Sequence, residues 1–481
     1  MRICIISSIG HQTYQGKFSE MKPAQAPFWK LALMHDGTPL DVVDYYHLEK
    51  QDSVIVDPNR HIYTNGILLA NRLYNPGDEI VIVNSLDEST TFDSVDVAVI
   101  STNYVTTNWE SCLIMLLARF RAMGIKCVIG GIGIKKLYLN DSQFFPLIVD
   151  AVDGYIVIAD NGLSVMRRAV EGVENQSSNK LIICEDEYVL SYKDFSLEHI
   201  DVSLHSKHTA LITQAGCIYD CAFCSYKEKY KDHAVFDLNE IKKTLMELDK
   251  TNKQGLRHIR FADETFNVDI NRVIELCDFI AARGFSFRWS CFLRANNITP
   301  ELIRALAHSN CDFVSIGVES GNAHIQRIMN KNVELKGLKQ SIAELRSAGI
   351  VVNVSLLVGF FGECDATIQD TMDYVSSCGA DLARVNLWYP ARSEKNHALF
   401  EQYHFRTENG LWRHDSTTEQ RAAEYARQIY LMDSTTVFIP PFSSVFDQWP
   451  VLSSYGLEQN EILSVFKSYY LKTKLQDLNT L

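Results

Sequence analysis

Three cysteines carry the strongest chemical signal in the chain. Cys217, Cys221 and Cys224 stand in the segment GCIYDCAFC, a C-x3-C-x2-C arrangement. At this chain's own cysteine frequency about 0.007 such triplets arise by chance, so the spacing points to a shared task. Thiolates are nucleophiles or metal ligands. A structural zinc ion takes four ligands, commonly in two separated pairs, and no fourth Cys or His falls nearby. Three thiolates on one tight loop suit an iron–sulfur cluster that leaves one iron open to a further ligand.

The 481 residues around this triplet are 46% hydrophobic and 22% charged, near globular averages, which excludes disordered and collagen-like classes. The length points to two or three domains. Asp and Glu outnumber Lys and Arg by 59 to 46, and no basic stripe stands out, so a nucleic-acid partner is not expected. MRICIISSIG at the start lacks the marks of a signal peptide. The most apolar run, VVNVSLLVGFF from Val351, is too short to cross a membrane. A cytoplasmic chain with no membrane partner and twelve reduced cysteines is expected.

The elements that must position the cysteines alternate strand and helix twice. EIVIVNSL from Glu79, DVAVIST from Asp96, CVIGG from Cys127 and GYIVIAD from Gly154 are continuous apolar strands, with a helix over Trp109 to Met123. They predict a parallel Rossmann-like sheet, with Gly130, Gly131 and Gly133 at a strand end. Residues 11–75 show no clear period. A second alternation predicts six strands, beginning at ALITQA, HIRFADETF, FSFRWSCFLR, DFVSIGVES, VVNVSLLVGFF and DLARVNLWYP. Parallel strands joined by helical crossovers close into a full or partial barrel whose chemistry lies at the strands' C-terminal ends. The expected architecture is α/β: a Rossmann-like domain over residues 1–200, a partial (β/α)6 barrel over 201–392, and a small helical region over 393–481.

From Leu211 to about Pro390 the sequence resembles the radical SAM superfamily: the triplet follows the first barrel strand and Phe223 takes the aromatic place before the last cysteine. The resemblance implies a [4Fe–4S] cluster on Cys217, Cys221 and Cys224, with S-adenosylmethionine (SAM) on the fourth iron and a 5′-deoxyadenosyl radical as product of its cleavage. By the same resemblance FADETF presents Ala262, Asp263 and Glu264 to the methionine amino group. SCFLRAN offers Arg294 to the SAM carboxylate, and SIGVESG offers Glu319 to the amino group or ribose. LLVGFFGE brings Gly359 and Gly362 near adenine, with Ser355 on the same strand, and has Phe361 where the family often has proline. A flavodoxin or ferredoxin is the implied electron donor.

The first zone resembles the cobalamin-binding domain of many such enzymes. The D-x-H-x-x-G signature is absent, so a corrin bound there would lack a protein histidine below cobalt, and the sequence leaves cobalamin open. The whole layout resembles radical SAM maturases of ribosomally made peptides, with proteusin-type peptide epimerases foremost, and a cobalamin-dependent C-methyltransferase as the alternative. A ribosomal precursor peptide is then the expected substrate. Epimerisation needs a hydrogen donor, and a thiol has a weak S–H bond. Cys364, at a helix start on the cluster side, is the first candidate donor and Cys291 the second. Trp412 and Trp449 are expected in the core.

Overall fold

The computed structural model describes the chain apart from residues 7–32, 36–37, 41, 51–63, 84–90, 104–108, 140–141, 160–162, 174–179, 185–190, 196–206, 225–232, 252–254, 389, 391–396, 409–410, 440–444 and 479–481. The expected domain limits near 200 and 392 lie outside the described residues. Among these, no helix is long and apolar enough to cross a membrane.

The first sheet has six parallel strands in the order β2-β1-β3-β4-β5-β6: β1 (Arg2–Ile6), β2 (Glu79–Val83), β3 (Val97–Ser101), β4 (Lys126–Gly130), β5 (Gly154–Ile158) and β6 (Leu181–Ile183). Continuous apolar sequence such as VAVIS is fully buried because helices cover both faces, as parallel sheets require. Strand β1, read from sequence only as something other than a signal peptide, sits beside β3, where the strand order reverses. In doubly wound sheets the crevice at such a reversal is the ligand edge. Part of the unassigned stretch forms two helices, α1 (Val42–Glu49) and α2 (Thr64–Leu73). Helix α2 packs on the first sheet through Leu69 and Leu73. Helix α3 (Trp109–Met123) buries Leu113, Leu117 and Phe120, and α4 (Ile132–Leu139) follows the Gly130–Gly131 turn.

The second sheet has seven parallel strands in the order β13-β12-β11-β10-β9-β8-β7. These are β7 (His208–Leu211), β8 (His258–Phe261), β9 (Arg288–Arg294), β10 (Cys311–Glu319), β11 (Val351–Val358), β12 (Leu382–Leu387) and β13 (Val437–Ile439). Helices α5 (Leu238–Thr251), α6 (Ile270–Arg283), α7 (Pro300–His308), α8 (Leu335–Ser347), α9 (Asp365–Cys378) and α10 (Glu419–Leu431) alternate with them. Local sequence sets their ends. Asp269 caps α6 by accepting from the Arg272 amide, Gly284 stops it at φ 65°, and α7 opens on Thr299–Pro300.

Six barrel strands were expected, and the seventh comes from the C-terminal region. Its three residues, VFI, are too short to show a period, yet they pair with Leu382 to Arg384. That region also holds an antiparallel pair, Arg406–Glu408 with Leu411–Arg413, so it is not purely helical. Helix α11 (Val445–Ser454) seats Phe446 at 3.7 Å on Phe292 and Trp449 at 4.9 Å on Phe313. The indole N–H of Trp449 donates to Asp312 Oδ2 (3.1 Å), and Asp312 Oδ1 lies 3.1 Å from His258 Nε2. His258 and Asp312 stand at strand starts, so α11 closes the N-terminal end of the barrel. Helices α1 and α12 (Gln459–Leu478) back it, with Tyr45 Oη 2.7 Å from Ser468 Oγ.

Candidate functional site

The cysteine loop leaves the end of β7 and is anchored by the residues that end β8. Asp263 is fully buried and accepts twice from Thr213, from its amide (2.7 Å) and its hydroxyl (2.6 Å). Burial pushes the Asp263 carboxyl up to about 7 against the lowering effect of those bonds. Glu264 Oε2 accepts from the Gly216 amide (3.1 Å), and Thr265 Oγ1 lies 3.5 Å from Cys217 Sγ. The Ala262 amide donates to Leu211 O (2.7 Å). Asp263 was expected to receive the methionine amino group. Both of its oxygens are instead committed to Thr213, which makes it a positioning residue for the loop.

The far side of the loop rests on Arg294 and Glu319. Arg294 Nη1 is 3.2 Å from Cys221 Sγ and Nη2 donates to Lys331 O (2.7 Å). Its guanidinium lies over the Tyr219 ring, 3.8 Å from the centroid. The guanidinium thus reaches a cysteine of the triplet as well as a backbone carbonyl, where the resemblance implies a SAM carboxylate. Glu319 adopts φ 68°, a left-handed conformation costly for a side chain with Cβ, and pairs with Lys331 Nζ at 2.9 Å in a largely buried ion pair. A Cβ on Gly317 would meet Glu319 Oε1 at 2.6 Å and Lys331 Nζ at 2.7 Å, so a side chain there would displace the ends of that pair. Lys331 also lies 5.6 Å from the centre of the Phe223 ring. Sequence reading missed Lys331 and Tyr219. Nothing in the local pattern of either residue marks it, because their partners are distant in the chain.

Strand β11 departs from expectation at its glycines. Gly359 has φ 97°, and a Cβ there would strike Trp412 (2.8 Å) and Ala422 (2.9 Å). Gly362, φ 83°, is closed on by Ile328 at 2.7 Å. The close approach these glycines permit is therefore to the chain's own side chains, where adenine was expected. Phe361 stacks on Tyr403 and packs against Trp388 and His414, in an aromatic cluster that also holds Trp412 and Phe360. Phe223 reaches this cluster edge-on at Phe360. Glu363, also missed, is buried beneath it and accepts from the Gly359 amide (2.5 Å), and burial pushes its carboxyl up to about 8. Ser355 accepts from Asn386 Nδ2 (3.0 Å) across the strands. Trp412 and Trp449 are both core residues.

The two candidate donors separate. Cys364 is exposed at the start of α9, its amide donating to Thr367 Oγ1 (2.9 Å), beyond the C-terminal end of β11. Cys291 is fully buried. Three residues from Arg294 on one strand, it faces the opposite side of the sheet, with Cys311 as hydrogen-bond partner and burial raising its thiol pKa. The expectation that Cys291 could meet a substrate is corrected on that ground.

Among the described residues no three His, Cys, Asp or Glu side chains converge on a single-ion site. A cubane differs, because its thiolates bind separate irons and need not converge on one point. Three half-buried cysteines without a fourth donor, beside a cationic guanidinium, fit such a cluster with one iron open.

Residues 211–375 match the family model described as the radical SAM superfamily. The barrel is a radical SAM domain. Two curated relatives align with parts of the chain. One, 22% identical over 37% of this chain, is "Uncharacterized methyltransferase PH0819" of Pyrococcus horikoshii. The other, 25% identical over 42% of this chain, is the anaerobic magnesium-protoporphyrin IX monomethyl ester cyclase of Cereibacter sphaeroides. The chain spans only 39% and 33% of their respective lengths. A solved structure, the radical SAM methyltransferase TsrM of Kitasatospora setae with cobalamin and a [4Fe–4S] cluster bound, superposes with TM-score 0.55 at 14% identity. The match covers 95% of this chain and 89% of that one, so the fold shared with TsrM extends well beyond the radical SAM domain.

Proposed function

We propose that the chain is a cobalamin-dependent radical SAM methyltransferase. The observation that carries this reading is the pairing of a doubly wound parallel sheet with a three-cysteine barrel, in an arrangement that follows TsrM over 95% of the chain. When bound, the cluster supplies one electron to split the SAM sulfonium and the corrin supplies a methyl carrier. Cys217, Cys221 and Cys224 hold the cluster. Asp263 and Thr213 set the loop's start, and Glu264 and Glu319, at the ends of β8 and β10 on either side of β9, line the side where SAM sits. The corrin edge is the crevice between β1 and β3, whose described residues include Thr102 and Asn103.

Methylation is placed ahead of the peptide epimerisation expected from layout, because the first relative and the solved structure are both methyltransferases. Protein reconstituted without oxygen with iron, sulfide and hydroxocobalamin, then gel-filtered, tests the reading. It should retain about four irons and one corrin per chain. A full cluster with no retained corrin would remove cobalamin from the proposal.

A further inference from the structure

We infer that Arg294 serves the cluster itself, as a hydrogen-bond donor to the Cys221 sulfur that raises the cluster's reduction potential. This rests on the radical SAM reading of the barrel and deepens it.

Three contacts hold the guanidinium and two more clamp its backbone. The backbone of Arg294 is clamped by Asn267, whose Oδ1 accepts from its amide (2.8 Å) and whose Nδ2 donates to its carbonyl (3.0 Å). Nη2 is held by Lys331 O at 2.7 Å, the flat face lies on Tyr219, and only then does Nη1 reach Cys221 Sγ at 3.2 Å. The residue is 8% exposed, and its Nε is buried with no acceptor among the described residues. A planar cation with five donors, pinned on one edge and left with a buried unsatisfied N–H beside a cluster ligand, is oriented for the cluster's anionic sulfurs. Tyr219 belongs to the same loop as the ligands, so the arginine and the cysteine it addresses move together.

The physical consequence has a definite sign. The one-electron step from [4Fe–4S]2+ to [4Fe–4S]1+ adds negative charge to the cluster and its thiolates. A nearby cation, and a donated N–H···S bond, favour the more negative state and raise the potential. The role is distinct from clamping a SAM carboxylate, which would leave the potential of SAM-free protein unchanged.

The test is a reductive titration of reconstituted, SAM-free protein with titanium(III) citrate, followed by the electron paramagnetic resonance signal of the reduced cluster. Arg294→Met should hold wild-type iron with its midpoint moved to a more negative potential, and Arg294→Lys should fall between them. Should Arg294→Met lose iron, Tyr219→Leu keeps the guanidinium but removes the face it lies on, and should move the midpoint in the same direction by less. A wild-type midpoint in iron-replete variants would overturn the inference, all the more so if SAM affinity alone fell many-fold. Failure of the wild type to take up a cluster would instead overturn the radical SAM reading.

Discussion

The two parallel sheets obey one architecture and present opposite kinds of edge. At the C-terminal ends of the barrel strands, buried charges are held by named partners: Asp263 on Thr213, Glu319 on Lys331, Arg294 on Cys221. At the described part of the first sheet's edge the groups are neutral. Thr102 Oγ1 donates to Gly130 O (2.9 Å), and Asn103 Oδ1 accepts from the Ile132 amide (2.9 Å). A Cβ on Gly131 would strike Asn103 at 2.8 Å, so that turn is packed on its own neighbours. Burying a charge is costly without a partner, so a site for a charged cofactor must be built from many fixed contacts. An edge of backbone and small residues needs few of them, and its chemistry is correspondingly hard to see.

Substitutions at the two edges should therefore differ in size. The largest effect is expected from alanine at Cys217, Cys221 and Cys224 together, which should abolish cluster absorbance and SAM cleavage while the melting temperature changes little. Retained iron in that variant would erase the contrast between the edges. Gly317→Ala comes next. Its new methyl occupies the space of the Glu319–Lys331 pair, and SAM affinity should fall at least about tenfold, the effect of about 1.4 kcal/mol, measured by isothermal titration. Asp263→Asn turns an amide N–H toward the Thr213 donors and should cost about 1–3 kcal/mol in chemical denaturation, with partial loss of iron. Asn103→Ala, at the other edge, should cost about 1 kcal/mol and leave the cluster intact.

Two buried carboxyls sharpen the comparison through pH. Asp263 and Glu363 bind their protons more tightly folded than unfolded, with folded values of about 7 and about 8. The native state therefore holds more protons than the unfolded chain above about pH 4, and stability falls as pH rises from there to about 8. Glu363→Gln keeps an acceptor for the Gly359 amide and should flatten the upper part of that slope, read as melting temperature at pH 5 and pH 8.5. An unchanged slope would show that Glu363 is ionised in the folded protein.

Much of this contrast could be read in the sequence, and its gaps have physical causes. The cysteine loop was legible because its three cysteines are close in the chain and rare in type. Strands β2 to β5 were legible because their runs are continuously apolar, and β7 to β12 because strand-like runs alternate with helix-like ones. Strand β1 was passed over because nothing local distinguishes a central strand at a chain start from any apolar run. Strand β13 is only three residues, and its identity rests on pairing with Leu382 to Arg384. The packing around Gly359 and Gly362 was not legible, since a positive φ shows that space is needed without showing what fills it. Trp412 and Ile328 fill it, from 53 residues downstream of Gly359 and 34 residues upstream of Gly362. The anchoring bond of Asp263 was missed for a related reason: its partner Thr213 lies 50 residues away, and only the fold brings them together.

The central claim, methyl transfer by a barrel and a corrin acting together, is tested most directly by product analysis. Reconstituted protein is incubated without oxygen with SAM and titanium(III) citrate, with and without hydroxocobalamin, and its products are quantified by mass spectrometry. Loss of the SAM methyl group leaves S-adenosylhomocysteine, whereas reductive cleavage leaves 5′-deoxyadenosine and methionine. The account predicts 5′-deoxyadenosine in both samples and S-adenosylhomocysteine only where cobalamin is present. 5′-Deoxyadenosine alone, unaffected by cobalamin, would contradict it.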